Sequence, residues 1–352
     1  VHTKGDKLVV VVRDDLATDD PKRKALALAD NQIALLAEWD ESVLEEIQFE
    51  IEESDFDIDL DVMGFDLVDE PIQEQQDPGK LIDRAEELNG KWKVERGQIW
   101  EIPGKAGTHR VMCGDSTDAG DVALLMNGVK AQCVMTSPPY WVGFDYEQED
   151  KWKEVVDFIS HFTCLCIEHV EQDGRIIINT GTVQAGRLTG QEAHMKLLID
   201  TWIQSFEAVD WLMRYVRFWV KDGGLLHTAP QVDCIDQHTE FIGYFYNPKV
   251  KFRGQERTGE PWAGKGYWND IAGAARQSGH VAAFPVEIPW RNILLFTRKT
   301  ERILDPFLGS GTTVVAAEQE GRIALGMDVE PKYVAVTLER LSALGLEPKL
   351  VT

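Results

Sequence analysis

Long apolar runs are absent from this 352-residue sequence. No run approaches the ~20 residues that a membrane-spanning helix needs, which excludes the usual helical membrane protein. Residues 1–15 also lack the basic, apolar and small-residue order of a signal peptide, so we expect a cytoplasmic chain. No internal repeat is visible.

Cysteine is scarce as well. The five cysteines are an odd and scattered set. Cys164 and Cys166 are too close together for half of a zinc site, and no second pair follows them. We therefore expect buried free thiols and no metal site.

Positive charge is in deficit, since the formal net charge is -24. That argues against a DNA-binding protein, because affinity for DNA comes largely from neutralising its phosphates. The acidity is uneven, however. Residues 1–90 contain 8 Lys and Arg against 26 Asp and Glu, a net charge of -18, and the remainder contains 28 against 34, a net charge of -6. A local basic surface is therefore compatible with the sequence beyond residue 90.

From Trp92 onward, short apolar strands alternate with helical patterns, whereas residues 222–280 are rich in glycine, aromatic and polar residues and are predicted to be irregular. The alternation predicts a mostly parallel sheet covered by helices on both faces. In such sheets ligands bind at the carboxyl ends of the strands. The predicted strands end at Cys113, Met135, Asn179, Val220, Asp305 and Met327.

A proline pair follows one of these strands, in the segment Ser137-Pro138-Pro139-Tyr140-Trp141. Two prolines end strand pairing, stiffen the loop and leave carbonyl oxygens as hydrogen-bond acceptors. With the serine hydroxyl and two flat rings, the loop suits an exocyclic amine whose base stacks on an aromatic side chain. Such a base must first leave the double helix. A proline-rich turn that only ends the strand is the structural alternative.

A glycine loop, residues 305–313, follows another strand end and leads into a predicted helix. Its two glycines allow close approach of a ligand to the backbone, and the helix start offers amides to a carboxylate. Asp305 could accept a hydrogen bond from an amine. The dinucleotide pattern Gly-x-Gly-x-x-Gly and the lysine of a phosphate loop are both missing here. Acids at the next strand end, Asp328 and Glu330, suit ribose hydroxyls, although Glu330 could simply begin a helix.

The segments TSPPYW and DPFLGSGTT, in this order, resemble the catalytic and cofactor motifs of beta-class DNA amino-methyltransferases. The resemblance spans about residues 92–345 and implies a Rossmann-like α/β fold with a seven-stranded, mostly parallel sheet. It implies S-adenosylmethionine as cofactor, S-adenosylhomocysteine as product, and catalysis by Ser137, Pro138, Pro139 and Tyr140. The implied cofactor-binding residues are Asp115, Phe284, Pro285, Asp305, Phe307, Gly309, Ser310, Gly311, Thr312, Thr313, Asp328 and Glu330.

Double-stranded DNA is the partner that the resemblance implies, and a homodimer or a cognate restriction endonuclease would be compatible with it. Residues 226–278 lie where the family places its target-recognition region. Family members with serine before the prolines mostly methylate N4 of cytosine, so cytosine is favoured over N6 of adenine. The predicted DNA-binding residues are Trp141, Trp219, Lys221, Lys249, Lys251, Arg253, Arg257 and Lys265.

Three other functions are considered for this sequence: an RNA methyltransferase, a protein-glutamine methyltransferase, and a non-catalytic DNA-binding partition or regulatory protein. Residues 1–75, with a strand at 8–12 and two helices, resemble the C-terminal part of a ParB-like domain without its Gly-His-x-Arg motif. We expect this segment to serve docking or dimerisation, residues 76–91 to be a linker with a short helix, and residues 92–352 to form the methyltransferase domain of a bacterial, archaeal or phage-encoded protein.

Overall fold

A computed structural model of the chain describes residues 78–140, 149–185, 194–221, 239–251, 260–271 and 285–352. All of these residues belong to one compact unit, Glu70–Thr352. The predicted ParB-like segment lies outside the described residues. So do four predicted site residues, namely Trp141, Arg253, Arg257 and Phe284.

One sheet forms the centre of the described structure. The strands are β1 Ile99–Pro103, β2 Thr108–Cys113, β3 Ala131–Thr136, β4 Val170–Thr180, β5 Thr182–Ala185, β6 His194–Leu197, β7 Leu212–Val220, β8 Thr239–Tyr246, β9 Tyr267–Trp268, β10 Arg302–Asp305, β11 Ile323–Asp328 and β12 Lys349–Leu350. In the described residues, β5 and β6 pair as a separate hairpin and the other ten strands form the sheet in the order β12-β1-β2-β11-β10-β3-β4-β8-β7-β9.

Seven consecutive strands of this sheet, from β2 to β7, match the predicted Rossmann-like fold. The strands β2, β11, β10, β3 and β4 are parallel. Strand β8 is antiparallel to both of its neighbours, β4 and β7. The expected count of seven is too low for the whole sheet, because short edge strands extend it: β1 and β12 on one side and β9 on the other.

Strand β8 corrects the prediction that residues 222–280 are irregular. Its sequence, TEFIGYFY, has a glycine in the middle, and glycine weakens a strand pattern. Packing explains this glycine, since a Cβ on Gly243 would lie 2.7 Å from Cδ1 of Ile199. A long apolar strand therefore lies inside a region whose composition is that of a loop.

Helices cover both faces of the sheet, as predicted. They are α1 Pro78–Asp83, α2 Ala85–Trp92, α3 Ala119–Met126, α4 Glu149–His169, α5 Leu198–Glu207, α6 Glu287–Phe296, α7 Thr312–Gln319 and α8 Pro331–Ala343. Helices α3, α4 and α5 bury a large apolar core with the sheet. Helices α6, α7 and α8 contact strands β3, β11 and β2 and cover the other face.

The predicted linker contains two helices, α1 and α2, where one short helix was expected. Helix α2 packs on α8, with Ala85 and Leu88 buried. At its end, Lys91 and the Trp92 indole both donate hydrogen bonds to Glu339, at 2.5 and 2.8 Å. Residues 78–92 therefore pack as part of the same compact unit as the sheet.

Three findings bear on expectations drawn from composition. Among the described residues, the helices are too short or too polar to cross a membrane. In the same ranges, His, Cys, Asp and Glu side chains form no group of three that could hold a metal ion. The described cysteines Cys113, Cys133, Cys164 and Cys166 are free thiols.

Candidate active site

The proline loop and the glycine loop begin at neighbouring strand ends. Strands β3 and β10 are adjacent and parallel, so their carboxyl ends meet at the same edge of the sheet. The last residues of the two strands are in direct contact, because Oγ1 of Thr136 donates a hydrogen bond to Oδ1 of Asp305 at 2.7 Å. The structure therefore meets the main geometric requirement of the methyltransferase interpretation.

Asp305 organises the start of the glycine loop. The side chain is 1% exposed and accepts three hydrogen bonds, from Thr136, from Oγ1 of Thr313 at 2.5 Å and from the Phe307 amide at 3.1 Å. Burial raises its pKa to about 6, and the three hydrogen bonds oppose that rise. Both carboxylate oxygens are engaged within the protein, and the contact with a cofactor amine stays a prediction.

The glycines of this loop adopt conformations that other residues avoid. Gly309 has φ +54° and Gly311 has φ +85°. A Cβ on Gly311 would lie 2.6 Å from the Thr337 side chain, and Oγ1 of Thr337 donates to the Gly309 carbonyl at 3.2 Å. The loop backbone is thus pressed against α8, and a side chain at Gly311 would separate them.

A buried arginine of the same helix also holds the loop. Arg340 in α8 is 2% exposed and donates to the Ser310 carbonyl at 2.5 Å and to Oγ1 of Thr312 at 3.1 Å. Helix α7 starts at Thr312, and the amides of a first helical turn have no partner within the helix. The strand, the loop and the helix start therefore form a rigid site that suits a carboxylate.

Two further acids extend this row of strand ends. Asp328, at the end of β11, accepts hydrogen bonds from the Gly309 and Glu330 amides, both at 2.9 Å, and burial raises its pKa. Asp115 follows β2, and its hydrogen bond from the Thr117 hydroxyl, at 2.7 Å, lowers its pKa. Because β2, β11, β10 and β3 are neighbours, the predicted adenine, ribose and amino-acid contacts lie in order along one edge.

Aromatic rings form the apolar side of the glycine loop. Phe307 lies 4.9 Å from Phe162 and 5.9 Å from Phe158, measured between ring centroids. It is partly buried and packs against the core below α4. Pro285, just before α6, is also partly buried, whereas Glu330 is exposed at the start of α8.

The proline loop contains a hydrogen-bond network centred on Tyr140. The Tyr140 hydroxyl lies 3.0 Å from Oγ of Ser137 and donates to Oε2 of Glu240 at 2.9 Å. Burial, and then the Glu240 carboxylate, raise the Tyr140 pKa well above its ordinary value. A Cβ on Gly181 would lie 3.2 Å from the Tyr140 ring, so the ring packs closely over the end of β4.

Sequence reasoning missed two polar residues of this network. Nδ2 of Asn179 donates to the Tyr140 hydroxyl at 2.9 Å and to Glu240 at 2.7 Å, and its Oδ1 is buried without a partner in the described part of the chain. A polar residue at the end of an apolar strand was a usable indication for Asn179. Glu240 had none, because it is the second residue of β8, in the region predicted to be irregular.

The predicted DNA-binding residues are divided between two edges of the sheet. Lys221 lies at the catalytic edge and forms an ion pair with Glu240, and its ammonium is 4.7 Å from the Trp219 ring. Trp219 is 2% exposed, and its indole donates to the Ile271 carbonyl at 3.2 Å, as in ordinary packing. Lys265 is exposed beside the edge strand β9.

Lys249 and Lys251 lie at the opposite edge of the sheet, and their contact with DNA stays a prediction. Both follow the end of β8, and an antiparallel strand that starts at the catalytic edge finishes at the opposite edge. Lys249 pairs there with Asp210 at 2.7 Å. The structure does not bring these two lysines to the catalytic loop, because β8 runs against its neighbours.

Comparisons with known proteins agree with this geometry. The family described as DNA methylase (N6_N4_Mtase) matches residues 131–339. The chain is 26% identical over 263 residues to the Type II methyltransferase M.Cfr9I of Citrobacter freundii, covering 64% of this chain and 85% of that enzyme. It is 43% identical over 127 residues to the Type II methyltransferase M.BglI of Bacillus subtilis, covering 34% of this chain and 36% of that enzyme.

A solved structure is similar as well. It is a protein from Thermus thermophilus described as a DNA modification methylase, and its structure was solved in complex with S-adenosyl-L-methionine. The TM-score is 0.54 and the sequence identity 26%, over 66% of this chain and 93% of that chain. The two proteins share the α/β fold.

Proposed function

Because this chain belongs to the N6/N4 DNA methylase family, we propose that it transfers a methyl group from S-adenosylmethionine to the exocyclic amine of a flipped DNA base, at N4 of cytosine. One observation carries the proposal: the hydrogen bond from Thr136 to Asp305 joins the start of the proline loop to the start of the glycine loop. A base held by one loop is thereby brought to a cofactor held by the other.

The residues of the glycine loop fit this cofactor. Bound S-adenosylmethionine supplies a methyl group that a positively charged sulfur activates. The α7 start and the backbone of Gly309 and Gly311 would hold its carboxylate. Asp305 would hold its amine, Asp328 and Glu330 its ribose, and Asp115 its adenine.

The proline loop would prepare the amine for attack. The lone pair of an exocyclic amine is delocalised into the base, which makes the amine a poor nucleophile. Hydrogen bonds from the amine to Ser137 and to the loop carbonyls would favour tetrahedral geometry and free the lone pair. The ring of Tyr140 offers a flat surface beside this position.

Cytosine is the target that the serine favours, with N6 of adenine as the alternative. Serine is a neutral acceptor, whereas most adenine enzymes of this kind have an aspartate in its place. The motif order, catalytic before cofactor, counts against the RNA and protein-glutamine methyltransferases. The intact catalytic loop counts against a non-catalytic DNA-binding protein.

The direct test is mass spectrometry of nucleosides from DNA of cells that express the protein. We expect N4-methylcytosine, and methyladenine without methylcytosine would overturn the choice of base. In vitro, labelled cofactor offered with DNA, RNA and protein separates the rival substrate classes. Label in RNA or protein alone would overturn the DNA assignment.

Ser137→Ala is the matched variant for this experiment. Loss of a transition-state acceptor should lower turnover about 100-fold or more. The Kd of the cofactor should change less than about twofold, since Ser137 lies outside the glycine loop. Unchanged turnover would contradict the catalytic role of Ser137. A homodimer, a partner endonuclease and the cytoplasmic location are further proposals, and the first is tested by the mass in solution.

A further inference from the structure

The carboxylate of Glu240 lies beside the proline loop, and the proposed mechanism has so far given it no role. The carboxylate reaches this loop from β8, whose first residues lie beside the last residues of β4 and β7. Its partners are the Tyr140 hydroxyl, the Asn179 amide and the Lys221 ammonium. The side chain is 12% exposed, so Glu240 is held in one position.

The chemistry of these groups determines the direction of the hydrogen bonds. An ionised carboxylate can only accept, so both the Tyr140 hydroxyl and Nδ2 of Asn179 must donate to Oε2 of Glu240, at 2.9 and 2.7 Å. Tyr140 has one hydroxyl proton, and it is used in this bond. Toward its other neighbours, the Tyr140 oxygen can therefore only accept.

Ser137 is the neighbour that this direction affects. Its oxygen lies 3.0 Å from the Tyr140 oxygen, and either atom could donate if the pair stood alone. Because Tyr140 donates to Glu240, Ser137 must donate to Tyr140. Nδ2 of Asn179 also lies 3.5 Å from the Ser137 oxygen, but its two protons are used in the shorter hydrogen bonds to Tyr140 and Glu240. The lone pairs of Ser137 are then left for hydrogen bonds from another donor, and the target amine is such a donor.

We infer that Glu240 is a positioning residue of this enzyme, which acts through Tyr140 and keeps the Ser137 hydroxyl as an acceptor for the target amine. The inference rests on the proposed function. Lys221 belongs to the same network, since its ammonium forms an ion pair with the other carboxylate oxygen of Glu240. Glu240 itself does not touch the base.

A double-mutant cycle on the full-length chain tests this inference. Glu240→Gln, Tyr140→Phe and the double variant are compared in single-turnover methyl transfer at saturating DNA and cofactor. Loss of a hydrogen bond to a charged group should lower the rate of Glu240→Gln about 10- to 100-fold. In the Tyr140→Phe background the same change should lower it less than about twofold, because the connection is already broken.

Glu339→Gln is the matched control. Glu339 is also partly buried and also accepts hydrogen bonds from a lysine and a second side chain, but it lies on α8 away from the catalytic loop. Its rate should change less than about twofold. The Kd of DNA and the Kd of cofactor should stay within about twofold in both glutamate variants, whereas a merely structural role would change them.

Three results would overturn the inference. They are an unchanged rate in Glu240→Gln, independent multiplicative effects in the double variant, and a loss confined to DNA affinity. If melting curves show that Glu240→Gln is unfolded, Glu240→Asp replaces it and should give a reduced rate at unchanged Kd. A wild-type protein that methylates no DNA would overturn the proposed function too, whereas active wild type with independent effects would overturn the inference alone.

Discussion

Two opposing effects determine the pKa of Asp305. Burial disfavours its charge, and hydrogen bonds from Thr136, Thr313 and the Phe307 amide favour it, so its pKa rises from 3.8 only to about 6. A raised pKa in the folded state means that this group contributes stability below its unfolded pKa, and that this contribution is lost as the pH rises through about 6. A cation beside the carboxylate would reverse the preference.

This charge balance predicts pH-dependent cofactor binding. If the cofactor amine pairs with ionised Asp305, affinity should fall below pH 6 by about tenfold per pH unit, because a proton must be released on binding. Titration calorimetry between pH 5 and 8 measures this slope. The control is Asp305→Asn, which should bind more weakly and without the slope. A slope that persists in Asp305→Asn would assign it to another group, such as Asp328.

At the scale of elements, β10, the glycine loop and α7 act as one unit. Gly311 begins α7 in a left-handed conformation and contacts Thr337 of α8. The chain contains a matched position, since Gly345 also has φ +85° but would have no atom within 4 Å of an added Cβ. The two glycines therefore separate backbone strain from steric conflict.

Alanine at each glycine gives a paired prediction. Gly345→Ala should cost about 1 kcal/mol from backbone strain alone and leave cofactor affinity unchanged. Gly311→Ala should cost about 2–4 kcal/mol, because overpacking against Thr337 adds to the strain, and should weaken cofactor binding at least about tenfold. Urea unfolding and calorimetry measure both. Equal effects of the two substitutions would show that the contact with α8 is unimportant.

Strand β8 is the second element on which the site depends. The parallel strands have their last residues at the edge of the sheet that carries the proline and glycine loops. The antiparallel β8 has its first residues there, including Glu240. The same reversal moves Lys249 to the opposite edge. The direction of one strand thus decides which charged residues of this region lie beside the proline loop.

At the scale of the whole molecule, the charge distribution opposes the proposed partner. Residues 1–69 contain 6 Lys and Arg against 20 Asp and Glu, a net charge of -14. The predicted cofactor-binding and catalytic residues all lie beyond this segment. A negatively charged segment repels DNA phosphates over about 10 Å at 0.1 M salt.

Removal of residues 1–69 should therefore leave cofactor affinity unchanged and strengthen DNA binding at low salt, by about three- to tenfold. The difference should shrink as salt is raised, since screening weakens the repulsion. Fluorescence anisotropy with labelled DNA measures the affinity at salt concentrations from about 50 to about 300 mM, a range in which binding to DNA phosphates changes strongly. The mass of the shortened protein in solution tests the predicted role in dimerisation. Lost cofactor binding would contradict the assignment of the site to the remaining residues.

Local patterns were enough to predict the strand ends that carry the motifs. An apolar strand followed by prolines, or by Asp305 and a glycine loop, has a local physical meaning, because both features end a strand and expose polar groups. Since parallel strands end at one edge of a sheet, these patterns also predicted that Ser137 and Asp305 share a site. The helical packing of residues 78–92 was missed, because it depends on α8, far away in the sequence.

Pairings between distant residues could be seen only in three dimensions. The antiparallel position of β8 brings Glu240 next to Tyr140, which is 100 residues away along the chain. No local pattern encodes that distance, since a charged residue at the start of a strand is ordinarily exposed to solvent. The motifs thus predict the chemistry of this protein, whereas the packing of strands from distant parts of the chain determines which charged side chain lies beside the proline loop.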